Sequence, residues 1–340
     1  LLLDACGSDL PDRAREADVG GGLFTAVVAE DVTYFSQLER IDAGGNLLPF
    51  SAFSALPRLR ELRLPCNGLT DLTPPPHALC GVKRLTGYSA LMFLDLSYNA
   101  LSQAALGALA GLPQLQELDL TCNGLWRLPA ELTAARSLER LTLERNRFED
   151  PQVLVLLAAL PALRHLGLAY NYLTRLPMPA ALAAGAAAAA AGAAPATHTE
   201  PFPRLEHLDL AFNYVRREED TATALALPRL ARLVLYGNPL LGPTGEDPEG
   251  LRVTALLAAA DARAAAPWSP PGAAPIDVIT EAPRPPGQPR RAGGEGGAGG
   301  GGFAGRCRRP YDGLGIAAVR ESRLPLAAAF RAAGNATLAR

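Results

Sequence analysis

The side chains that could do chemistry in this chain stand at matched positions of a recurring pattern. Asp95 and Asp119 lie 24 residues apart in nearly identical contexts, LDLSYN and LDLTCN. If those contexts are neighbouring parallel strands, the carboxylates stand about 5 Å apart, the spacing of a retaining glycosidase pair. His165 and His207 are related in the same way, and with Asp209 they offer the donor types of a zinc site. Each has a plainer account: a solvated acidic row on an open face, and two surface histidines. Nothing in the sequence builds a water-excluding pocket around either. There is no phosphate loop, nucleophile elbow, metalloprotease helix or paired CxxC. The expectation is therefore no catalytic residue, no metal site and no cofactor.

The pattern itself is Leu-x-x-Leu-x-Leu-x-x-Asn, written eight times with its last positions at Asn46, Asn67, Asn99, Asn123, Asn146, Asn171, Asn213 and Asn238. Its inner leucines alternate with polar residues, as in a strand with one buried face. One such strand cannot bury its leucines alone, but parallel copies join them into a continuous core. The asparagine supplies an amide donor and acceptor where the chain turns off the strand. Gly68 and Gly124 follow two of these asparagines, where a positive φ is cheap. This is the signature of a leucine-rich repeat. The fold class expected is α/β: a curved solenoid with a parallel concave sheet of eight strands and a mixed helical and turn convex side, followed by a disordered C-terminal region.

Most asparagines recur every 21–25 residues, but the gap widens to 32 between Asn67 and Asn99 and to 42 between Asn171 and Asn213. Insertions are therefore placed at about 71–90 and 178–200, the second expected to loop out without disturbing the ladder. Pro57, Pro113, Pro161, Pro203 and Pro228 each precede a strand's first leucine by two residues and steer the chain into extended geometry. Residues 100–112 and 151–160 look helical, while Leu125–Pro129 and Leu173–Pro177 suggest tighter turns. The domain plan is an N-terminal flank or cap over 1–26, the repeat domain over 27–262, and a tail over 263–340. The tail is rich in Pro and Gly and is read as largely disordered. Its Pro283–Pro286 and Pro286–Pro289 fit a PxxP pattern that a plain linker also explains. A short helix is expected over 311–333.

With a net charge of −2, 49% hydrophobic and 19% charged residues, the composition is that of a globular chain with no electrostatic case for nucleic acid. The alanine-rich stretch 180–194 has glycines within it and lies between two repeats, so no membrane span is expected. The chain opens on Leu1 rather than Met, as a fragment would. The five cysteines (Cys6, Cys66, Cys80, Cys122 and Cys307) are odd in number. Cys66 and Cys122 share a repeat position two strands apart, about 9–10 Å, beyond disulfide reach. A reduced intracellular protein is expected, in which the sequon Asn335-Ala336-Thr337 has no role.

Several stretches carry a closer likeness. Phe93–Asn99 (FLDLSYN), Asn123–Pro129 (NGLWRLP) and above all Asn46–Phe53 (NLLPFSAF) resemble the X-ray radiation resistance-associated protein family. So does the long interruption before FPRLEHLDLAFN and Asn238-Pro239-Leu240. The resemblance covers roughly residues 27–260, and fails in the poly-alanine insertion and the tail. It implies a noncatalytic protein of cytoplasm and nucleus, linked to the response to X-rays.

Function is therefore expected on the concave face. The position before each asparagine reads Cys66, Tyr98, Cys122, Arg145, Tyr170, Phe212 and Gly237, with Tyr236 beside the row. Exposed rings there suit a protein hot spot, or else pack on each other and on the rim. The middle strand position reads Arg63, Asp95, Asp119, Thr142, Gly167, Asp209 and Val234. With Glu117, Glu139, Glu144 and Glu206 facing Arg140, Arg145 and Arg164, it gives specificity rather than raw affinity. The candidate partner-binding set is Tyr98, Tyr170, Phe212, Tyr236, His165, His207, Asp119 and Asp209. The expected role is a scaffold for a protein partner, with no nucleic acid and no membrane, and the sequence sets no oligomeric state. The alternative is a regulatory or targeting subunit of a phosphatase, kinase or GTPase.

Overall fold

The computed structural model describes residues 5–7, 10–72, 87–191, 200–242, 245–246, 252–262 and 274–282. The expectations for the proline pattern at 283–289, the helix over 311–333, Cys80, Cys307, the sequon and most of the first insertion lie outside them. Ten three-residue strands form one parallel sheet in chain order. They are β1 (Glu16–Asp18), β2 (Arg40–Asp42), β3 (Glu61–Arg63), β4 (Phe93–Asp95), β5 (Glu117–Asp119), β6 (Arg140–Thr142), β7 (His165–Gly167), β8 (His207–Asp209), β9 (Arg232–Val234) and β10 (Asp277–Ile279). Strands β2–β9 are the eight read from the motif, in the expected register: Leu94 faces Leu118, Leu118 faces Leu141, and Leu166 faces Leu208.

The central residue of each strand from Ile41 to Leu233 is at most 2% exposed, and one continuous core runs through the array. Fully burying a leucine contributes roughly 2 kcal/mol, so the repeated inner leucines are the main stabilising term. The asparagines tie the turns together. Asn146 donates from Nδ2 to the carbonyls of Leu120 and Leu143, both at 3.0 Å, and its Oδ1 accepts the N–H groups of Asn123 and Leu125. Asn171 and Asn213 repeat the arrangement, each reaching back to the preceding repeat. All eight asparagines are at most 8% exposed.

Two strands lie outside the motif. β1 pairs with β2 within the segment read as a flank, and β10 pairs with β9 within the segment read as a tail, so the sheet has ten strands rather than eight. The inward residue of β1 is Ala17, and that of β10 is Val278. Neither strand is framed by leucines or followed by an asparagine at the motif spacing, so neither carries the signature. Leu256 and Ala260 of the helix over Thr254–Asp261, with Ile276, close the C-terminal side of the core.

The convex segments vary as their sequences suggest. Short helices α1 (Ala29–Val32), α2 (Gln103–Leu106) and α3 (Gln152–Leu157) alternate with 3₁₀ turns such as Ala130–Ala134, and α4 (Pro179–Ala191) and α5 (Thr254–Asp261) follow. Ser102 caps α2 by accepting the Ala105 N–H at 3.2 Å. The second insertion leaves the ladder intact, since β7 and β8 pair in register across it. It is not loose, however. Its alanines favour helix, and α4 buries Leu182 and Ala186. A Cβ on Gly185 would stand 2.3 Å from Val155 of α3, so only glycine permits this approach. Removing α4 would uncover the face of α3 rather than leave the array unchanged. Among the described residues no helix is long and apolar enough to cross a membrane.

Candidate interaction surface

The site is built where the chain leaves each strand. The residue before the asparagine does not stand in the strand, as the sequence reading placed it. It lies beyond the strand end, in the left-handed region: φ is +54° at Cys66, +55° at Tyr98, +56° at Cys122, +53° at Arg145, +57° at Tyr170 and +52° at Phe212. Its side chain is thereby thrown onto the strand-exit rim. An L-residue with a side chain holds this conformation at a cost of about 1 kcal/mol. Gly45 and Gly237 hold it freely.

The aspartates of the middle row have a structural task that the sequence reading missed. Asp42 accepts the Gly44 N–H at 3.1 Å, Asp95 that of Ser97 at 2.8 Å, Asp119 that of Thr121 at 2.9 Å, and Asp209 that of Ala211 at 2.8 Å. Each aspartate thus caps the end of its own strand two residues on. Where the row carries Arg63 instead, the residue two on is Pro65, which has no N–H to satisfy. The spacing Asp-x-(N–H) was the available signal. Asp95 and Asp119 do face one another across β4 and β5. Burial, then the Asp119 charge, pushes the Asp95 carboxyl above its usual range. Both carboxylates are already engaged on backbone, which favours capping over a catalytic pair.

His165 and His207 are brought together as expected, with ring centroids 5.9 Å apart. Burial, reinforced by His165 and Arg232, depresses His207 to about 4. Burial and Arg140 lower His165 as well. Among the described residues no group of three or more His, Cys, Asp or Glu could hold a metal ion. Asp209 turns to the Ala211 N–H, and burial raises its carboxyl.

The aromatic residues do assemble. The rings of Tyr170 and Phe212 stack at 4.3 Å with 13° between their planes, and Tyr236 meets Phe212 edge-on at 5.4 Å. Arg145 lays its guanidinium 4.3 Å from the centre of the Tyr170 ring. Tyr98 stands two strands further along, half exposed, its side chain hydrogen-bonded to Cys122. The row Tyr98, Cys122, Arg145, Tyr170, Phe212 is thus populated on five consecutive strands. Beneath its aromatic end lie Ala169, Ala211 and Val234, a small apolar cluster on the outer face of the sheet packed by Tyr170, Tyr236 and Ile279. Burial, with Asp209 next, pushes the Tyr236 hydroxyl up to about 12. Phe212 also lies over the turn of Gly237, where a Cβ would stand 2.4 Å from its ring.

A second pair was not foreseen. Tyr172 and Tyr214 stack at 5.7 Å and 8°, each nearly half exposed. They follow Asn171 and Asn213, so two ring pairs flank two buried asparagines at the exits of β7 and β8. The repeated Asn-Tyr dipeptide was the signal.

Against known proteins, residues 57–125 match the family model described as Leucine rich repeat. Mouse "X-ray radiation resistance-associated protein 1" is 31% identical over 195 residues, covering 52% of this chain and 24% of that protein. Human "PH domain leucine-rich repeat-containing protein phosphatase 1" is 30% identical over 122 residues, covering 36% of this chain and 6% of that protein. The chain therefore spans about a quarter or less of these relatives' length. A solved structure, the "Leptospira interrogans LRR protein LIC12759", superposes with a TM-score of 0.49 at 22% identity, covering 70% of this chain and 52% of that one. The chain is a leucine-rich repeat protein, a fold suited to binding other proteins.

Proposed function

We propose that this leucine-rich repeat array is a noncatalytic scaffold that holds a protein partner on its concave face. The anchor is the aromatic group of Tyr170, Phe212 and Tyr236 over β7–β9. The observation that carries the reading is the Tyr170–Phe212 stack over the small Ala169, Ala211 and Val234 side chains, a preorganised apolar surface at the rim of a polar face. Rings held by one another lose little freedom on binding, which is what makes such groups hot spots. Phe212 remains 38% exposed, enough to bury against a partner. Tyr98 and the His165–His207 pair flank the anchor, Asp209 holds the turn beneath it through the Ala211 N–H, and Asp119 caps β5 outside it.

The double substitution Tyr170→Ala with Phe212→Ala is expected to weaken partner capture by about 30-fold, equivalent to about 2 kcal/mol. The fold, read by circular dichroism, should persist. Capture at the wild-type level would move the site elsewhere. The cellular setting proposed is intracellular, cytoplasmic and nuclear, in the response to X-rays. It is supported by the name of the mouse relative and by the free thiols of Cys66 and Cys122. Fractionation, and survival after irradiation of cells lacking the chain, would test it. The alternative, a targeting subunit of a phosphatase, uses the same surface and is supported by the likeness to the human phosphatase. Phosphatase activity co-purifying with the chain would favour it.

A further inference from the structure

The exits of β6–β8 carry two rows of the same make-up. The residue before each asparagine reads Arg145, Tyr170 and Phe212, and the residue after it reads Arg147, Tyr172 and Tyr214. In each row an arginine leads a stacked pair of rings. The backbone makes the second row a true column. The N–H groups of Arg147, Tyr172 and Tyr214 donate in turn to the carbonyls of Leu125, Phe148 and Leu173, each in the preceding repeat. Both arginines are exposed.

What sets this arginine pair apart is that no carboxylate meets it. The arginines within the strands, Arg40, Arg63, Arg140 and Arg232, are each paired with a carboxylate at 2.6–3.6 Å. Among the described residues Arg145 and Arg147 make no ion pair. The acids near them in sequence are turned elsewhere. Glu144 lies over the sheet, where a Cβ on Gly167 would stand 3.6 Å from its Oε1. Asp150 accepts the Gln152 N–H at 2.9 Å, and Glu149 pairs with neither arginine. Arg175 and Arg216, exposed and likewise unpaired among the described residues, follow Tyr172 and Tyr214 in sequence. An arginine paired within its own fold has part of its donor fork occupied. One left to water keeps the whole fork for a ligand, and the fork matches a carboxylate. Tyrosine rings beside it offer rigid apolar area at low entropic cost.

We infer that this strand-exit edge receives an acidic segment of the protein partner, with its carboxylates on Arg145 and Arg147 and an apolar side chain on Tyr172 and Tyr214. The inference rests on the proposed use of this surface and names the chemistry of what it holds. Nucleic acid would also meet arginines and rings here. Its run of phosphates, however, calls for a longer basic track, and Glu144 and Glu149 flank the arginine pair in sequence.

The test titrates the full chain against a dye-labelled peptide, Gly-Glu-Glu-Phe-Glu-Glu-Gly, by anisotropy. The same peptide with lysine at every glutamate, and a short oligothymidylate, serve as rivals. The acidic peptide should bind, and the lysine peptide and the oligonucleotide should not compete. Arg145→Gln with Arg147→Gln should weaken it about tenfold, the loss of two exposed charge-assisted contacts. Tyr172→Ala with Tyr214→Ala should weaken it several-fold. All four side chains are exposed, so circular dichroism should match wild type. Arg13→Gln, an exposed arginine far along the chain, should change nothing. No binding of the acidic peptide, better binding of either rival, or an equal loss in Arg13→Gln would each overturn the inference. Partner capture by the Arg145→Gln, Arg147→Gln chain separates it from the anchor reading. If capture is lost with Tyr170 and Phe212 but survives loss of the arginines, the anchor stands and the acidic segment falls. If capture is lost with the arginines but survives loss of those two rings, the acidic segment stands and the anchor falls.

Discussion

The two halves of the concave face share one backbone and differ in what their outward side chains are free to do. Over β2–β5 the middle row is Asp42, Arg63, Asp95 and Asp119, and its three aspartates are each spent on an N–H two residues on. Flanking ion pairs join Arg40 to Glu16 and Glu61, and Arg63 to Glu61. These pairs are at least partly solvated and contribute little. Over β7–β9 the row is Gly167, Asp209 and Val234, with Asp209 likewise spent on the Ala211 N–H, and beside it Ala169, Ala211 and Val234 form a small apolar cluster on which Tyr170 and Tyr236 pack. A charged face can therefore be structural and an apolar one available.

The largest effect expected concerns what the halves share. Asn146→Leu removes donors to the Leu120 and Leu143 carbonyls and the acceptor of two N–H groups. With each unpaired buried group costing about 1–3 kcal/mol, partly relieved by relaxation, a loss of about 3 kcal/mol or more is expected in urea unfolding. A loss below about 1 kcal/mol would mean that the ladder tolerates gaps. That register, with its inner leucines, was legible because burial and amide satisfaction admit only a few residue types at each position. β1 and β10 were not, because Ala17 and Val278 satisfy the same edge pairing without a leucine frame. The site was legible only in outline. Tyr170 and Phe212 could be placed on adjacent strands from spacing alone. The left-handed turn that throws them onto the rim leaves no mark on residue type, since Tyr98, Cys122 and Arg145 occupy it equally.

A sharper contrast comes from Asp119. Asp119→Ala strands the Thr121 N–H and should cost about 1 kcal/mol of stability, with partner capture unchanged. Asp119→Asn can still accept that N–H and removes the like charge facing Asp95, so its stability should match or slightly exceed wild type. Equal loss in both variants would show that the charge, not the acceptor, matters, and would blur the line between the halves.

A further expected effect is a pH dependence carried by His207 in the C-terminal half. His207 titrates near 4 in the fold and near 6.5 when unfolded. Below pH 6.5 the unfolded chain therefore binds more protons, and this group's contribution to stability falls as pH drops from about 6.5 to 4. In His207→Gln the decline in urea midpoint over that window should be shallower. An identical slope would mean that the imidazole is solvated in the native state.

The left-handed column at the strand exits has a consequence for reading how this surface was shaped. Local backbone preference there asks for glycine, and Gly45 and Gly237 show that the array accepts it. Six side-chain-bearing residues hold the position nonetheless, from Cys66 to Phe212. Glycine scanning along this single column would then act as a ledger-free map of purpose. Where a residue serves only the fold, glycine should match or improve the melting temperature with nothing else altered. Where stability rises and recognition disappears, the residue was retained for what it touches outside the molecule.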